Sequence, residues 1–329
     1  MRARGVLATL LGLGLWAAAP AAAAGRFAAP GDYDLTLTVG GRVRTYLVHL
    51  PPLFRERAPL PVLLAFHGGG GTAAGFKAYS GLDAVADREG FVVVYPDGSG
   101  RLGRRLLTWN AGSCCGYASD TKVDDVAFVV ALLRDLARGL PLDPTRVYAT
   151  GHSNGAMLAY RLAVEAPERI AAIAPVAGMM VADRFPPARL VPLLHIHSVD
   201  DPRALYAGGL GPPFPLTSTR IGHRAVEPEL ARWVAHDGCP GEPRVVERRT
   251  APAGGRDAGH TATLLAWGPC AGGTEVGLWK LTGAGHAWPG GPSQLPERVM
   301  GPDTNVISAA EEVWRFFRRG RRLDAPPLP

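Results

Sequence analysis

The chain has 329 residues, 47% of them hydrophobic and 19% charged. That balance is globular: it leaves out a disordered or low-complexity polymer and supplies material for one large core or two small ones. The formal net charge of +6 is scattered except for Arg318, Arg319, Arg321 and Arg322 at the end of the last helical pattern, where cations suit the carbonyl end of a helix, so nucleic acid is not an expected partner.

At the start of the chain, Arg2 and Arg4 precede an uncharged apolar run from Val6 to about Ala18, and Ala22, Ala23 and Ala24 supply small residues for cleavage. The pattern predicts a signal peptide over residues 1–24. The competing reading is a membrane anchor, but the run is shorter than the roughly 20 apolar residues that span a bilayer. It has no cysteine at its end for lipid attachment, and no later stretch is long and apolar enough to span. The expectation is a secreted or periplasmic protein, free of the membrane after cleavage and carrying a net charge of +4 once Arg2 and Arg4 are gone.

Beyond the leader, short β-branched or apolar runs alternate with helical patterns, which predicts an α/β fold with a mostly parallel sheet covered on both faces. Tyr33 to Val39 and Val43 to Leu50 read as a hairpin turning at Gly40-Gly41. Buried strands are expected at Pro61 to Phe66, Phe91 to Tyr95, Arg146 to Thr150, Ile170 to Pro175, Val191 to His197 and Glu275 to Leu281. Val126, Val130, Leu133 and Ala137 share a helical face, with Asp124 and Asp125 in its first turn as helix-starting residues rather than catalysts. The Gly- and Pro-rich segment from Ala207 to Gly273 is expected to hold an antiparallel excursion, Arg244 to Thr250 against Thr261 to Trp267, set between two core strands. A final helix is predicted from about Val306 to Arg319, burying Val306, Ala310, Val313, Trp314 and Phe317. With no interior linker or repeat, residues 25–322 read as a single catalytic domain and 323–329 as a Pro-rich tail. The long loop Asp97 to Thr121, which holds Trp109 and two adjacent cysteines, has a length often associated with function.

Cys114, Cys115, Cys239 and Cys270 form an even set in an exported chain, so disulfides are expected and metal ligation is not, neither pair having zinc-ligand spacing. Three connectivities are open. Cys239 with Cys270 is the expected long-range bond, worth roughly 3–4 kcal/mol. Cys114 and Cys115 are then left to each other, although adjacent Cα atoms about 3.8 Å apart lie below the usual bridging range.

The strongest chemical signal is Gly151-His152-Ser153-Asn154-Gly155, directly after a predicted strand and directly before a predicted helix. That context is the one a nucleophile elbow requires, with Ser153 as nucleophile. A second signal, His67-Gly68-Gly69-Gly70-Gly71, follows the strand Pro61 to Phe66. Glycines there let backbone N–H groups approach a developing oxyanion. A phosphate loop would place Lys and then Ser or Thr after the glycines, whereas Thr72-Ala73-Ala74 follows. Gly69 and Asn154 are the expected backbone donors. The acid and base should follow in the order serine, acid, histidine: Asp200 and Asp201 lie at one strand end and His286 just past another, whereas His195 and His223 read as structural.

These strings, together with Tyr95-Pro96-Asp97-Gly98, Trp109-Asn110-Ala111-Gly112, Cys114-Cys115-Gly116, Val123-Asp124-Asp125-Val126 and Gly285-His286-Ala287-Trp288-Pro289-Gly290, resemble the polyhydroxybutyrate depolymerase and feruloyl esterase family, secreted hydrolases akin to carbohydrate esterase family 1. The resemblance covers essentially the whole mature chain and implies the α/β-hydrolase fold. The family's His-Gly-x-x-Asp-Pro pattern matches His197 to Pro202 and implies Asp201, rather than Asp200, as the triad acid. Ser198 replaces the family's glycine, Arg203 stands where an apolar residue is usual, and Ala204-Leu205-Tyr206 replaces a proline-containing stretch, which bears on substrate preference. No added polymer-binding module fits after the last helix, which favours a soluble ester over a crystalline polymer.

The expected activity is hydrolysis of carboxylic esters by Ser153, His286 and Asp201 without a cofactor. The resemblance implies feruloyl or acetyl esters of plant polysaccharide, or 3-hydroxybutyrate oligomers. Two alternatives stand beside it: an exported serine peptidase of the same fold, since a triad does not distinguish esters from amides, and an inactive saccharide- or polymer-binding relic, which would lack a triad member. Trp109, on the long loop, and Trp288, two positions past His286, are expected to line the substrate cleft.

Overall fold

Leu60–Phe66 and Val92–Pro96 are apolar almost throughout, a pattern that suits strands covered on both faces, and every residue of both is buried. The computed structural model describes residues 25–55, 58–181, 184–214 and 219–328, so the predicted leader over 1–24 lies outside the described residues. The strands are β1 (Gly31–Val39), β2 (Arg42–Leu50), β3 (Leu60–Phe66), β4 (Val92–Pro96), β5 (Leu142–His152), β6 (Ala172–Val176), β7 (Leu193–Ser198), β8 (Gly209–Leu210), β9 (Gly222–His223), β10 (Arg244–Thr250), β11 (Thr261–Trp267) and β12 (Val276–Thr282). Ten of them form one sheet in the order β1-β2-β4-β3-β5-β6-β7-β12-β11-β10, and β8 with β9 forms a separate ribbon. From β4 across to β12 the pairing is parallel, and both flanks are antiparallel. The carboxyl ends of β3, β5, β7 and β12 therefore meet along one edge, where ligands of open α/β sheets bind.

The α-helices among the described residues are α1 (Ala73–Ser80), α2 (Leu82–Glu89), α3 (Gly116–Asp120), α4 (Asp125–Ala137), α5 (Asn154–Glu165), α6 (Val226–His236), α7 (Glu297–Met300) and α8 (Ala309–Phe317). Side chains alternate across the sheet, so β3 feeds two cores. Val62, Leu64 and Phe66 pack with Phe128 and Leu132 of α4 and Leu158 of α5. Leu63 and Ala65 face the other way, with Phe76 of α1, Val85 of α2 and Val313 of α8. This is the three-layer α/β-hydrolase architecture expected from the sequence.

The antiparallel excursion has the expected strands, with β10 pairing β11. It lies between β7 and β12 in sequence, while in space β12 pairs directly with β7, and β11 and then β10 extend the sheet outward. The largely exposed pattern of β10 suits that edge position. Helix α8 starts at Ala309, not Val306, because Ser308 caps it by accepting from the Glu311 N–H. Val306 is nevertheless buried, as are Ala310, Val313, Trp314 and Phe317. Cys239 bonds Cys270, tying the end of α6 to the approach to β12, and Cys114 bonds Cys115 in the loop before α3.

Candidate active site

Between β5 and α5 the chain reverses so tightly that Ser153 takes φ 56° and ψ −118°, a conformation that costs a non-glycine residue energy and marks functional turns. The flanking positions have no room for a side chain: a Cβ at Gly151 would meet the Gly155 carbonyl carbon at 2.5 Å, and one at Gly155 would strike the Phe66 carbonyl. The Ser153 N–H donates to Val176 O (2.8 Å), which pins the elbow to β6. The glycine loop after β3 runs alongside, with the Cβ position of Gly69 3.5 Å from Asn154 Cβ. Asn154 cannot offer its side-chain amide to a substrate, since Oδ1 accepts from the Trp109 N–H (2.7 Å) and Nδ2 donates to Trp109 O (3.1 Å). Its backbone N–H opens α5 and has no helical acceptor.

Two strands away from β5, the loop after β7 carries Asp201, and three strands away the loop after β12 carries His286. His286 Nδ1 lies 2.7 Å from Asp201 Oδ2, and both side chains are buried. Asp201 Oδ1 accepts from the N–H groups of Arg203 (2.7 Å) and Ala204 (2.8 Å). Burial alone would raise the Asp201 pKa, but His286 beside it and hydrogen bonds from His197 and His286 hold the carboxyl well below the usual carboxylate range. The neighbouring Asp200 braces the loops instead, its Oδ2 accepting from the Gly283 N–H (2.7 Å), while the Ser198 hydroxyl donates to Ala284 O (2.5 Å). Both bonds tie the end of β7 to the loop bearing His286. That loop is held from its other side by His286 N–H to Met300 O (2.5 Å) and Gly285 N–H to Pro302 O (2.7 Å). The ring of His152, next to Ser153 in the elbow, lies 4.8 Å from that of His286. Burial, followed by the proximity of His286, pushes the His152 pKa well down and keeps that ring neutral. Among the described residues Ser153 Oγ and His286 Nε2 do not hydrogen-bond, and resting hydrolases often hold this pair loosely.

A family model described as esterase PHB depolymerase matches residues 44–212, which include Gly69, Ser153 and Asp201. NocK of Nocardia uniformis subsp. tsuyamanensis, a protein named as an esterase, is 31% identical over 306 residues, covering 86% of this chain and 82% of NocK. The chain belongs to the esterase PHB depolymerase family. Feruloyl esterase B of Piromyces equi is 28% identical over 250 residues, which cover 74% of this esterase but 42% of that longer protein. The acetyl xylan esterase structure from Aspergillus awamori superposes with a TM-score of 0.52 at 15% identity, covering 78% of this chain and 94% of that one, a likeness of fold. The esterase is a carboxylic ester hydrolase, and none of its helices, among the described residues, is long and apolar enough to cross a membrane.

The tryptophans of the esterase depart from expectation. Trp109 is fully buried and Trp288 nearly so, so neither indole presents a face to a ligand. The Trp109 ring N–H donates to His67 O (2.9 Å), and its edge meets Phe66. With its backbone bonds to Asn154, this one residue ties the glycine loop to the elbow. The Trp288 ring packs toward α1, donating to Ser80 O (2.9 Å) and meeting Phe76 edge-on. Asp124 and Asp125 are structural as read: Asp124 caps α4, and buried Asp125 pairs with Arg44 (2.7 Å) and accepts from the Asn110 N–H (2.8 Å). Sequence reasoning missed what lies behind Asp201. His197 Nε2 approaches its carboxylate at 3.3 Å, a contact foreshadowed by the i, i+2 spacing of His195 and His197, which puts both rings on one face of β7.

Proposed function

We propose that Ser153 is the nucleophile, His286 the general base and Asp201 the group that orients it, with the backbone N–H groups of Gly69 and Asn154 receiving the oxyanion. Ser153 Oγ attacks the ester carbonyl carbon while His286 Nε2 takes its proton. The tetrahedral oxyanion collapses to an acyl-enzyme, and the departing alkoxide takes that proton and leaves as the alcohol. Water, activated by His286, then attacks the acyl carbon, and Ser153 recovers its proton as the acid departs. The observation that carries the reading is the His286–Asp201 pair at the carboxyl ends of β12 and β7, on the same sheet edge as the strained elbow at Ser153. An oxyanion donor of this kind is worth roughly 3–4 kcal/mol in the transition state.

The names of the relatives support feruloyl or acetyl esters of plant polysaccharide, or 3-hydroxybutyrate oligomers, as substrates. Two disulfides fit an oxidising compartment, in keeping with export by a cleaved leader over residues 1–24. The reading is tested on purified protein with methyl ferulate, acetylated xylan, 3-hydroxybutyrate oligomers and graded nitrophenyl esters. Ser153→Ala should lose at least about 1,000-fold in turnover on every ester cleaved with its melting temperature nearly unchanged, and activity within tenfold of the unaltered protein would reject it.

A further inference from the structure

Behind Asp201, the buried face of β7 carries a continuous row of hydrogen-bonding side chains. Tyr160 Oη lies 3.0 Å from His195 Nδ1, His195 Nε2 lies 3.0 Å from His197 Nδ1, and His197 Nε2 lies 2.8 Å from Ala204 O and 3.3 Å from Asp201 Oδ2. Every member is buried. Tyr160 comes from α5, the helix that Ser153 opens, so the row joins the nucleophile's helix to the acid's strand.

The protons on this row have a single order that leaves both rings neutral. A carbonyl and an ionised carboxylate both face His197 Nε2, and neither can donate, so that nitrogen must carry the proton. A neutral His197 then offers a lone pair at Nδ1, which requires the proton of His195 on Nε2. His195 Nδ1 is left as an acceptor, and the Tyr160 hydroxyl donates to it. Three donors thus point the same way, from Tyr160 toward Asp201. Burial first, and His197 second, push the His195 pKa well down, so this ring stays neutral.

We propose that Tyr160, His195 and His197 are positioning residues whose ordered hydrogen bonds fix Asp201 as an oriented anion and set how strongly it supports the protonated form of His286. This rests on the roles given above to Asp201 and His286. Bonds arranged head to tail polarise one another, so the far members add to the donor strength of His197. The charge that His197 draws from Asp201 is charge no longer available to His286. Other titratable or charged groups also face the row and its end: His152 from the elbow, Arg203 from the loop after β7, His223 from β9, Tyr206 against the His197 ring, and Glu229 from α6 toward Tyr160.

Imidazole nitrogen shifts of the full chain labelled with 15N-histidine read the proton order directly. Both His195 and His197 should carry their proton on Nε2 at pH 8, and a proton on Nδ1 of either ring would overturn the proposal. In kinetics, His197→Leu should lower kcat on nitrophenyl acetate at least about tenfold and His195→Leu about threefold, with KM within about twofold. Both should move the acid limb of kcat/KM to higher pH, since an Asp201 with fewer donors stabilises protonated His286 more. A lower melting temperature with an unmoved acid limb would mean that the histidines only fill space, and would also overturn it. If either variant fails to fold, the nitrogen shifts of the unaltered protein decide. Ser153→Ala assayed alongside separates the two readings: its retained activity would reject the triad, whereas its collapse beside an unmoved limb in His197→Leu would reject the histidine row alone.

Discussion

The two halves of the candidate site are held by different physics. On the side of β3 and β5, the glycine loop and the elbow are fixed by main-chain crowding: Gly151 and Gly155 leave no room for a Cβ, and Ser153 is locked in a strained conformation. On the side of β7 and β12, the proposed acid and base are fixed by side-chain hydrogen bonds between residues some eighty positions apart, such as Asp201 with His286 and Asp200 with Gly283. Crowded backbone admits almost one residue type per position and so writes a short, dense motif. Long-range hydrogen bonds constrain single residues scattered along the chain.

The sharpest way to break the comparison is at the adjacent aspartates. Asp201→Asn should cost about 10,000-fold in kcat by disturbing the tautomer of His286, while Asp200→Asn, which loses one backbone anchor, should stay within about tenfold. The reverse ranking in steady-state assays would hand the orienting role to Asp200. On the crowded side, Asn154→Ala removes the two bonds to Trp109 and should lower kcat about 10- to 100-fold, with a stability loss of about 1–3 kcal/mol from the unpaired Trp109 backbone. Equal activity at unchanged urea midpoint would show that the glycine loop and elbow do not depend on that link. Trp288→Ala should destabilise the fold by about 3–5 kcal/mol and weaken small and aromatic esters alike. A loss confined to aromatic esters would instead place this ring in the cleft.

This difference also explains how much was legible from sequence. The proposed nucleophile and the glycine loop stood out because close packing demands glycines at fixed offsets from Ser153. His286 was legible from strand order. Choosing Asp201 over Asp200 needed a family resemblance, because nothing local distinguishes two neighbouring carboxylates at a strand end. Trp288 was misplaced because closeness to His286 in sequence does not fix which way a ring turns, and its indole N–H finds Ser80 at the end of α1. The place of β10 and β11 at the sheet edge was likewise hidden, since pairing between distant strands leaves no local signal.

A smaller effect probes the flank beside the Cys239–Cys270 bond. Asp237 is fully buried with neither carboxylate oxygen hydrogen-bonded, and burial pushes its pKa up to about 7. Above the ordinary carboxylate range the unfolded chain loses this proton while the folded chain keeps it, so folding loses stability as pH rises from about 4 to 7 and levels off beyond. Asp237→Asn should therefore gain on the unaltered protein across that window, by about 1–3 kcal/mol at pH 8. Paired urea titrations at pH 4 and pH 8 check this, and a gap that narrows with pH would contradict it.

The central claim, that the strained turn after β5 presents the nucleophile, is met most directly by covalent labelling. Phenylmethanesulfonyl fluoride should inactivate the enzyme with one sulfonyl group per chain, and peptide mass mapping should place it on Ser153. Full inactivation with the label on any other residue would contradict the account.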